Sequence, residues 1–253
     1  MIAPLFISHG APDVLITPSE SHKAMADLAL PADVRAILIV SAHWEADPVR
    51  VQTGAELPTI HDFRGFGPVL ESTLYEAPGA PDVADTVLET LRSAGLNAIA
   101  EPVRGRDHGA WIPMALIRPE ADIPVFQVSL PATDQAAIAL GRALQPLSEQ
   151  GVQIIGSGSL THSLRLAFSH DEYDPPHPAA QAFRSAILPA IESGDAEATV
   201  NWQALPFSDL NHPTPEHFRP LLTAMAAGGG KAECLHTSWS RGSLAMDIWR
   251  FGA

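Results

Sequence analysis

Short apolar runs that alternate with amphipathic segments are the feature that most restricts the fold of this chain. Residues 34–40 are continuously apolar apart from Arg35, and residues 152–155 form a second, shorter run that is apolar apart from Gln153. Strands of this kind are typical of parallel sheets whose two faces are both covered. Residues 82–94 place apolar side chains on one face of a helix. The chain therefore predicts an α/β fold, in which a single domain (residues 1–253) has a central, largely parallel mixed sheet flanked by helices.

Local signals predict where the other elements begin and end. Thr17 and Thr214 each precede a proline suited to the first helical position, Thr133 is a third capping residue, and Gly194 suits a helix end. The glycines of 156–159 favour a sharp turn after the strand that ends at 155. These signals predict helices at about 18–28, 113–117, 134–147, 179–191 and 215–227, and two last strands that complete the sheet at 232–237 and 243–249.

Composition limits the possible partners. The net charge is −14 with only 15 lysines and arginines, which argues against binding nucleic acid because phosphates require clustered cations. No run approaches the ~18 apolar residues of a membrane span, and the N-terminus lacks the pattern of a secretion signal. The lone Cys234 permits no internal disulfide. We expect a cytoplasmic protein that does not bind membranes, and the sequence leaves its oligomeric state open.

Four of the eleven histidines follow or precede apolar segments in similar settings: His9, His43, His108 and His162. Ligands of open α/β sheets bind beyond the carboxyl ends of the strands. A single histidine there is as often structural as functional, but several from separate strands favour a shared function.

Imidazole is the commonest metal ligand among side chains, so His9 and His43 are candidate ligands held by the sheet. A third ligand is expected from residues 211–217, either His217 or Glu216, with His212 a weaker candidate. Three nitrogen or oxygen ligands with positions left open suit Fe(II) or Zn(II).

The remaining candidates have acid–base or structural roles. His162 and His108 are expected to exchange protons beside the metal, and Asp107 is expected to hold His108 or to cap a turn. Trp44 and Trp111 are interpreted as packing residues. The chain has no phosphate-binding glycine loop, and Ser157 and Ser159 do not form a serine-hydrolase elbow. A zinc hydrolase and a non-catalytic binding protein are the alternative functions.

Seven short motifs occur in one order along residues 8–218. Together they resemble the class III extradiol ring-cleavage dioxygenases, in particular the DOPA 4,5-dioxygenase-like branch. The motifs are Ser8-His-Gly10, Ser41-Ala-His-Trp44, Asp62-Phe-x-Gly-Phe66, Leu74-Tyr-x-Ala-Pro-Gly79, Asp107-His-Gly-x-Trp111, Gly156-Ser-Gly-Ser-x-Thr-His162 and His212-Pro-Thr-Pro-Glu-His-Phe218.

This resemblance implies a non-haem Fe(II) enzyme that opens a catecholic substrate with O2, with Zn(II) often found in the same site. By position, His9, His43 and His217 match the metal ligands of the branch. His162 matches a residue described as an acid–base catalyst or a further ligand, and His108 matches one that faces the substrate. More distant relatives use a glutamate as third ligand, so Glu216 remains the alternative to His217.

Overall fold

A computed structural model describes residues 1–252, in which strands and helices alternate along most of the chain. Three 3-10 helices supplement nine α-helices among these residues. The strands are β1 (Leu5–Ser8), β2 (Ala36–Ser41), β3 (Val49–Gln52), β4 (Ala98–Glu101), β5 (Val125–Gln127), β6 (Val152–Gly158), β7 (Ala232–His236), β8 (Trp239–Ser240), β9 (Leu244–Ala245) and β10 (Ile248–Phe251). The helices are α1 (Glu20–Ala26), α2 (Pro68–Ser72), α3 (Pro81–Ser93), α4 (His108–Ile117), α5 (Asp134–Leu144), α6 (Leu164–Ala167), α7 (Pro178–Ser193), α8 (Ser208–Asn211) and α9 (Arg219–Gly228). The 3-10 helices are Pro12–Leu15, Gln145–Gln150 and Glu197–Ala204.

The central sheet has six strands in the order β5-β2-β6-β1-β10-β7. The first four run parallel to one another, and β10 is antiparallel to both β1 and β7. The predicted fold class is therefore confirmed. The prediction for the last strands is only partly correct: residues 232–236 join the sheet, but Leu244–Ala245 pairs with Trp239–Ser240 in a separate hairpin, and the sheet strand is Ile248–Phe251.

The position of β2 between two buried clusters explains why its sequence is almost entirely apolar. Ala36, Leu38 and Val40 face one buried cluster, which also contains side chains of α3, α5 and α9. Ile37 and Ile39 face a second cluster, which contains α1 and α4. The sheet is thus covered on both faces, and its central strands have no polar side. No helix within residues 1–252 is both long and apolar enough to cross a bilayer.

Parallel pairing brings three histidine-bearing segments to one edge of the sheet. In the register, Ser8 pairs with Gly158 and Ser41 pairs with Ser157, so β1, β6 and β2 end side by side. Hydrogen bonds continue this alignment beyond the strands, from His9 N to Gly158 O at 2.9 Å and from Ala42 N to Ser157 O at 3.0 Å. The loops that carry His9, His43 and His162 therefore leave the sheet from neighbouring positions.

Two helix starts differ from their predictions. Ser19, not Thr17, caps α1 and accepts a hydrogen bond from His22 N. Helix α9 begins at Arg219 rather than at Pro215, because Thr214 donates its hydroxyl hydrogen to the Glu216 carboxylate instead of capping backbone amides.

Other capping signals were interpreted correctly. Thr133 caps α5, and Gly194 ends α7 in the left-handed conformation. Helix α4 is longer than predicted, because it begins at His108 and accommodates Pro113 in its interior.

The predicted turn at 156–159 is wrong, since Gly156 to Gly158 are the last residues of β6. These glycines allow another backbone segment to approach closely. A Cβ atom on Gly156 would lie 2.1 Å from Pro220 O, and one on Gly158 would lie 2.3 Å from His217 O. The segment that carries His217 can therefore pass directly against β6.

Replacing Gly156 by alanine should destabilise the protein, because the new methyl group meets a carbonyl oxygen in the first turn of α9. Overpacking of this kind costs about 1–3 kcal/mol. Urea denaturation of Gly156→Ala should therefore show a lower midpoint with an unchanged slope. A midpoint equal to that of the wild type would contradict this close contact.

Candidate metal centre

Five imidazole rings, those of His9, His43, His108, His162 and His217, meet beyond the carboxyl ends of β1, β2 and β6. His43 Nε2 lies 3.1 Å from His9 Nε2 and 3.3 Å from His217 Nε2. One ring nitrogen each of His9, His43 and His108 lies within 4.8 Å of the others. Nitrogen ligands at 2.0–2.1 Å from one tetrahedral ion are roughly 3.3–3.4 Å apart. The His9–His43 and His43–His217 pairs of Nε2 atoms thus have the spacing of neighbouring ligands around a single ion, and His108 offers a further nitrogen within 4.8 Å of His9 and His43.

Hydrogen bonds on the far sides of the rings fix where the lone pairs point. Ser157 Oγ donates to Gly109 O, so it accepts from His9 Nδ1 at 2.9 Å. The Glu216 carboxylate can only accept, so His217 Nδ1 donates to it at 2.9 Å. In a neutral imidazole, a hydrogen on Nδ1 leaves a lone pair on Nε2. His9 and His217 therefore both direct lone pairs at His43.

This arrangement fits a cation better than it fits a hydrogen-bond network. His43 Nε2 carries at most one hydrogen, which cannot serve the lone pairs of both His9 and His217. A metal ion would bind the three nitrogens together, with Ser157 and Glu216 holding the ligand rings in orientation.

Burial keeps these rings neutral and able to bind a metal. It is the main reason that the pKa values of His9 and His217 lie well below the ordinary range, and the neighbouring imidazoles add to the effect. For the same main reason the pKa of His43 is lowered to about 3 and that of His162 to about 4. Metal binding then requires little proton release at neutral pH.

His108 is the first residue of α4 and is held by Asp62 in the loop between β3 and α2. Asp62 Oδ1 accepts hydrogen bonds from His108 N at 3.0 Å and from His108 Nδ1 at 2.9 Å. Burial alone would raise the pKa of Asp62, but these hydrogen bonds lower it to about 2. Gly109 lets this helix start close to the other rings, since a Cβ there would lie 3.0 Å from the His43 ring.

His162 lies on the other side of His217. The two rings are stacked, with centroids 3.5 Å apart and planes inclined by 7°. The lone pairs of an imidazole lie in the plane of its ring, so two stacked parallel rings cannot both direct them at one point. This geometry favours a place for His162 beside the metal rather than on it.

Two other predicted candidates have different roles. Glu216 supports His217 through its hydrogen bond instead of joining the Nε2 atoms. His212 is buried among aromatic rings, and its Nε2 bonds to Leu160 O at 2.9 Å, so it belongs to the core.

The expectation that Asp107 holds His108 is wrong. Its carboxylate accepts from Ser41 Oγ and Gln127 Nε2 beneath the site, at 2.7 and 2.8 Å, and it makes no side-chain cap. Asp62 takes the role that was expected of Asp107. The sequence signal that could have found it was its place in the Asp62-Phe-x-Gly-Phe66 motif, whereas nothing in the sequence marked Ser157 as a partner of His9.

The two tryptophans have packing roles, as predicted. Trp111 is fully buried and donates from Nε1 to Ile60 O at 3.0 Å. Trp44 is buried, and the guanidinium carbon of Arg104 lies over it, 4.9 Å from the centre of the Trp44 ring.

The imidazoles open into a cavity of about 430 Å³. This volume is within the range of sites for small organic ligands. The walls combine five histidines, namely His9, His43, His108, His162 and His217, with aromatic and aliphatic side chains and three charged residues. Beside the histidines, the cavity is lined by Gly10, Ala11, Pro12, Phe63, Phe66, Leu164, Arg165, Ala167, Phe168, Pro213, Thr214, Glu216, Arg241 and Leu244.

Comparison with known proteins identifies the family. The family described as "Catalytic LigB subunit of aromatic ring-opening dioxygenase" matches residues 7–247. The 4,5-DOPA dioxygenase extradiol of Beta vulgaris is 39% identical over 97% of this chain and 95% of that protein. The protein of the same name from Escherichia coli K12 is 35% identical, over 90% and 85%.

A crystal structure of an uncharacterized protein from Escherichia coli K12 has the same fold, with a TM-score of 0.81, 27% identity and full coverage of both chains. The resemblance seen in the seven motifs is confirmed: the chain belongs to the LigB family of aromatic ring-opening dioxygenases and is an enzyme of the extradiol class.

Proposed function

We propose that this enzyme cleaves a catechol beside its paired hydroxyls, as a dioxygenase of the 4,5-DOPA type, at a non-haem Fe(II) held by His9, His43 and His217. The observation that carries the proposal is the convergence of the His9 and His217 lone pairs on His43 Nε2 at the base of the cavity. Zn(II) suits the same nitrogen set and would occupy it in protein prepared without iron.

The metal would supply the one-electron chemistry that allows O2 to react with an aromatic ring. The protein itself has three tasks in this reaction. It excludes bulk water from the ring, since the cavity walls include Phe63, Phe66 and Leu244. It orients the catechol hydroxyls, and it moves their protons.

His162 and His108 are placed to handle those protons. Both line the cavity beside the three proposed ligands. His162 is neutral at pH 7, because burial lowers its pKa, and can accept a phenolic proton and return it later. His108 keeps its Nδ1 hydrogen on Asp62, so its Nε2 can accept a hydrogen bond from the substrate. We assign His162 as the acid–base residue and His108 as the substrate-facing one.

The reaction itself is the first test. Anaerobically prepared apoprotein loaded with Fe(II) should consume O2 when a catechol is added and form an open-chain semialdehyde, which is followed by its visible absorbance. Apoprotein and Zn(II)-loaded protein are the controls and should consume none. Hydrolysis of esters by the zinc form without O2 uptake would indicate a zinc hydrolase instead. Catechol binding with no turnover in any form would indicate a non-catalytic binding protein.

The third ligand is tested by paired variants. His9→Ala, His43→Ala and His217→Ala should each lose Fe(II) on dialysis, because each removes a ligand. Glu216→Gln should keep the metal with about 10–100-fold lower affinity, since it alters only the partner of a ligand. Elemental analysis and circular dichroism measure metal content and folding. Full retention in His217→Ala with loss in Glu216→Gln would make the carboxylate the ligand.

A variant of His162 shows whether this residue transfers protons or binds the metal. His162→Ala should keep its metal but lose about 10²–10⁴-fold in kcat, the usual contribution of an acid–base residue. His236→Ala is a matched control, because His236 does not line the cavity. Loss of the metal in His162→Ala would instead place this ring among the ligands.

A further inference from the structure

The cavity contains three charged side chains besides its histidines, and two of them already have partners within the protein. Glu216 accepts hydrogen bonds from Thr214 Oγ1 and His217 Nδ1, both at 2.9 Å. Arg241 hydrogen-bonds to the carboxylate of Asp13, and its Nε lies 3.6 Å from Glu172 Oε2. Arg241 is thus already paired with carboxylates, and Glu216 is already engaged by two neighbouring side chains.

Arg165 is different. It lines the same cavity from α6 and is exposed. Among residues 1–252, no carboxylate pairs with its guanidinium and no acceptor hydrogen-bonds to it. The chain has a net charge of −14 and therefore many carboxylates that could pair with an arginine, yet none of those described pairs with Arg165. Interactions between exposed charges more than about 8 Å apart are largely screened at physiological ionic strength, so distant carboxylates do not cancel the charge of Arg165.

The surroundings of Arg165 are apolar. Leu164 and Phe168, from the same short segment, are 48% and 77% exposed, and both line the cavity. Phe63 and Phe66 line it as well. A ligand with its ring hydroxyls at the histidines would meet an apolar wall and then a single unpaired cation. Arginine binds carboxylates through two parallel hydrogen bonds, which gives it geometric selectivity for such a group.

We propose that Arg165 is a specificity-determining residue that binds a carboxylate on the side chain of the substrate. The substrate class is then a catechol with a short aliphatic side chain ending in a carboxylate, rather than a neutral or cationic catechol. This inference rests on the proposed ring-cleavage function, because it identifies the part of the same substrate that lies away from the reacting hydroxyls.

The test compares two catechols of the same skeleton. One is 3-(3,4-dihydroxyphenyl)propanoate, and the other is 4-propylcatechol, which replaces its carboxylate by a methyl group. The Fe(II) enzyme should prefer the acid by about tenfold or more in kcat/KM. In Arg165→Gln this ratio should fall to about one, mainly through a higher KM for the acid, because the lost contact is remote from the reacting atoms. Arg165→Lys should keep part of the preference.

Arg64→Gln is the matched control. It removes the same charge from an exposed residue between Phe63 and Phe66, but Arg64 does not line the cavity. Its ratio should equal that of the wild type. A wild type without preference for the acid, or an Arg165→Gln variant that keeps the preference, would overturn the assignment while the ring-cleavage function stands.

If the wild type cleaves neither catechol, this result contradicts the proposed ring-cleavage function. The carboxylate site is then tested separately, by binding. Calorimetric titration of the zinc-loaded protein then gives the same comparison without turnover. Tighter binding of the acid than of 4-propylcatechol, lost in Arg165→Gln, would still support the carboxylate site. Equal binding of the two catechols would reject it.

Discussion

The parallel pairing of β6 with both β1 and β2 is the constraint on which the rest of the structure depends. It brings the residues after three strands to one edge of the sheet and buries both faces of the strands that carry them. The two glycines of β6 extend the same effect to a fourth segment, because they let the carbonyls of His217 and Pro220 approach the strand. Imidazoles from distant parts of the sequence thereby meet without any of them resting on a flexible loop alone.

Bringing five imidazoles together is unfavourable for the folded protein unless something binds them. Burial and mutual repulsion both lower the pKa values of His9 and His217, so the cluster cannot gain stability by taking up protons at neutral pH. The hydrogen bonds that His9 Nδ1 and His217 Nδ1 donate to Ser157 and Glu216 then prevent the rings from turning their N–H groups toward one another. The protein gives up some stability to keep lone pairs facing a common point, which is what a preorganised metal site requires.

The sequence predicted those features that depend on local pattern. The apolar run of β2 indicated a sheet covered on both faces, and the strand ends indicated His9 and His43, because both follow from which residues are adjacent along the chain. The failures came from competing contacts. Thr214 was expected to cap a helix, but the Glu216 carboxylate takes its hydroxyl. Asp62 joins His108 across 46 residues, a contact that no local rule predicts.

That contact depends on a buried arginine two residues before His108. Arg106 is fully buried without a carboxylate partner, and its guanidinium bonds to carbonyl oxygens of residues 57, 77, 78 and 125. Burial lowers its pKa to about 10, which still leaves it charged at neutral pH. Arg106 thus holds both ends of the segment between β3 and α3 that carries Asp62, at residue 57 and at residues 77 and 78. Arg106 fixes the position of the segment that contains Asp62, and Asp62 in turn accepts a hydrogen bond from the His108 ring. The orientation of this ring therefore depends on an arginine only two residues before it in the sequence.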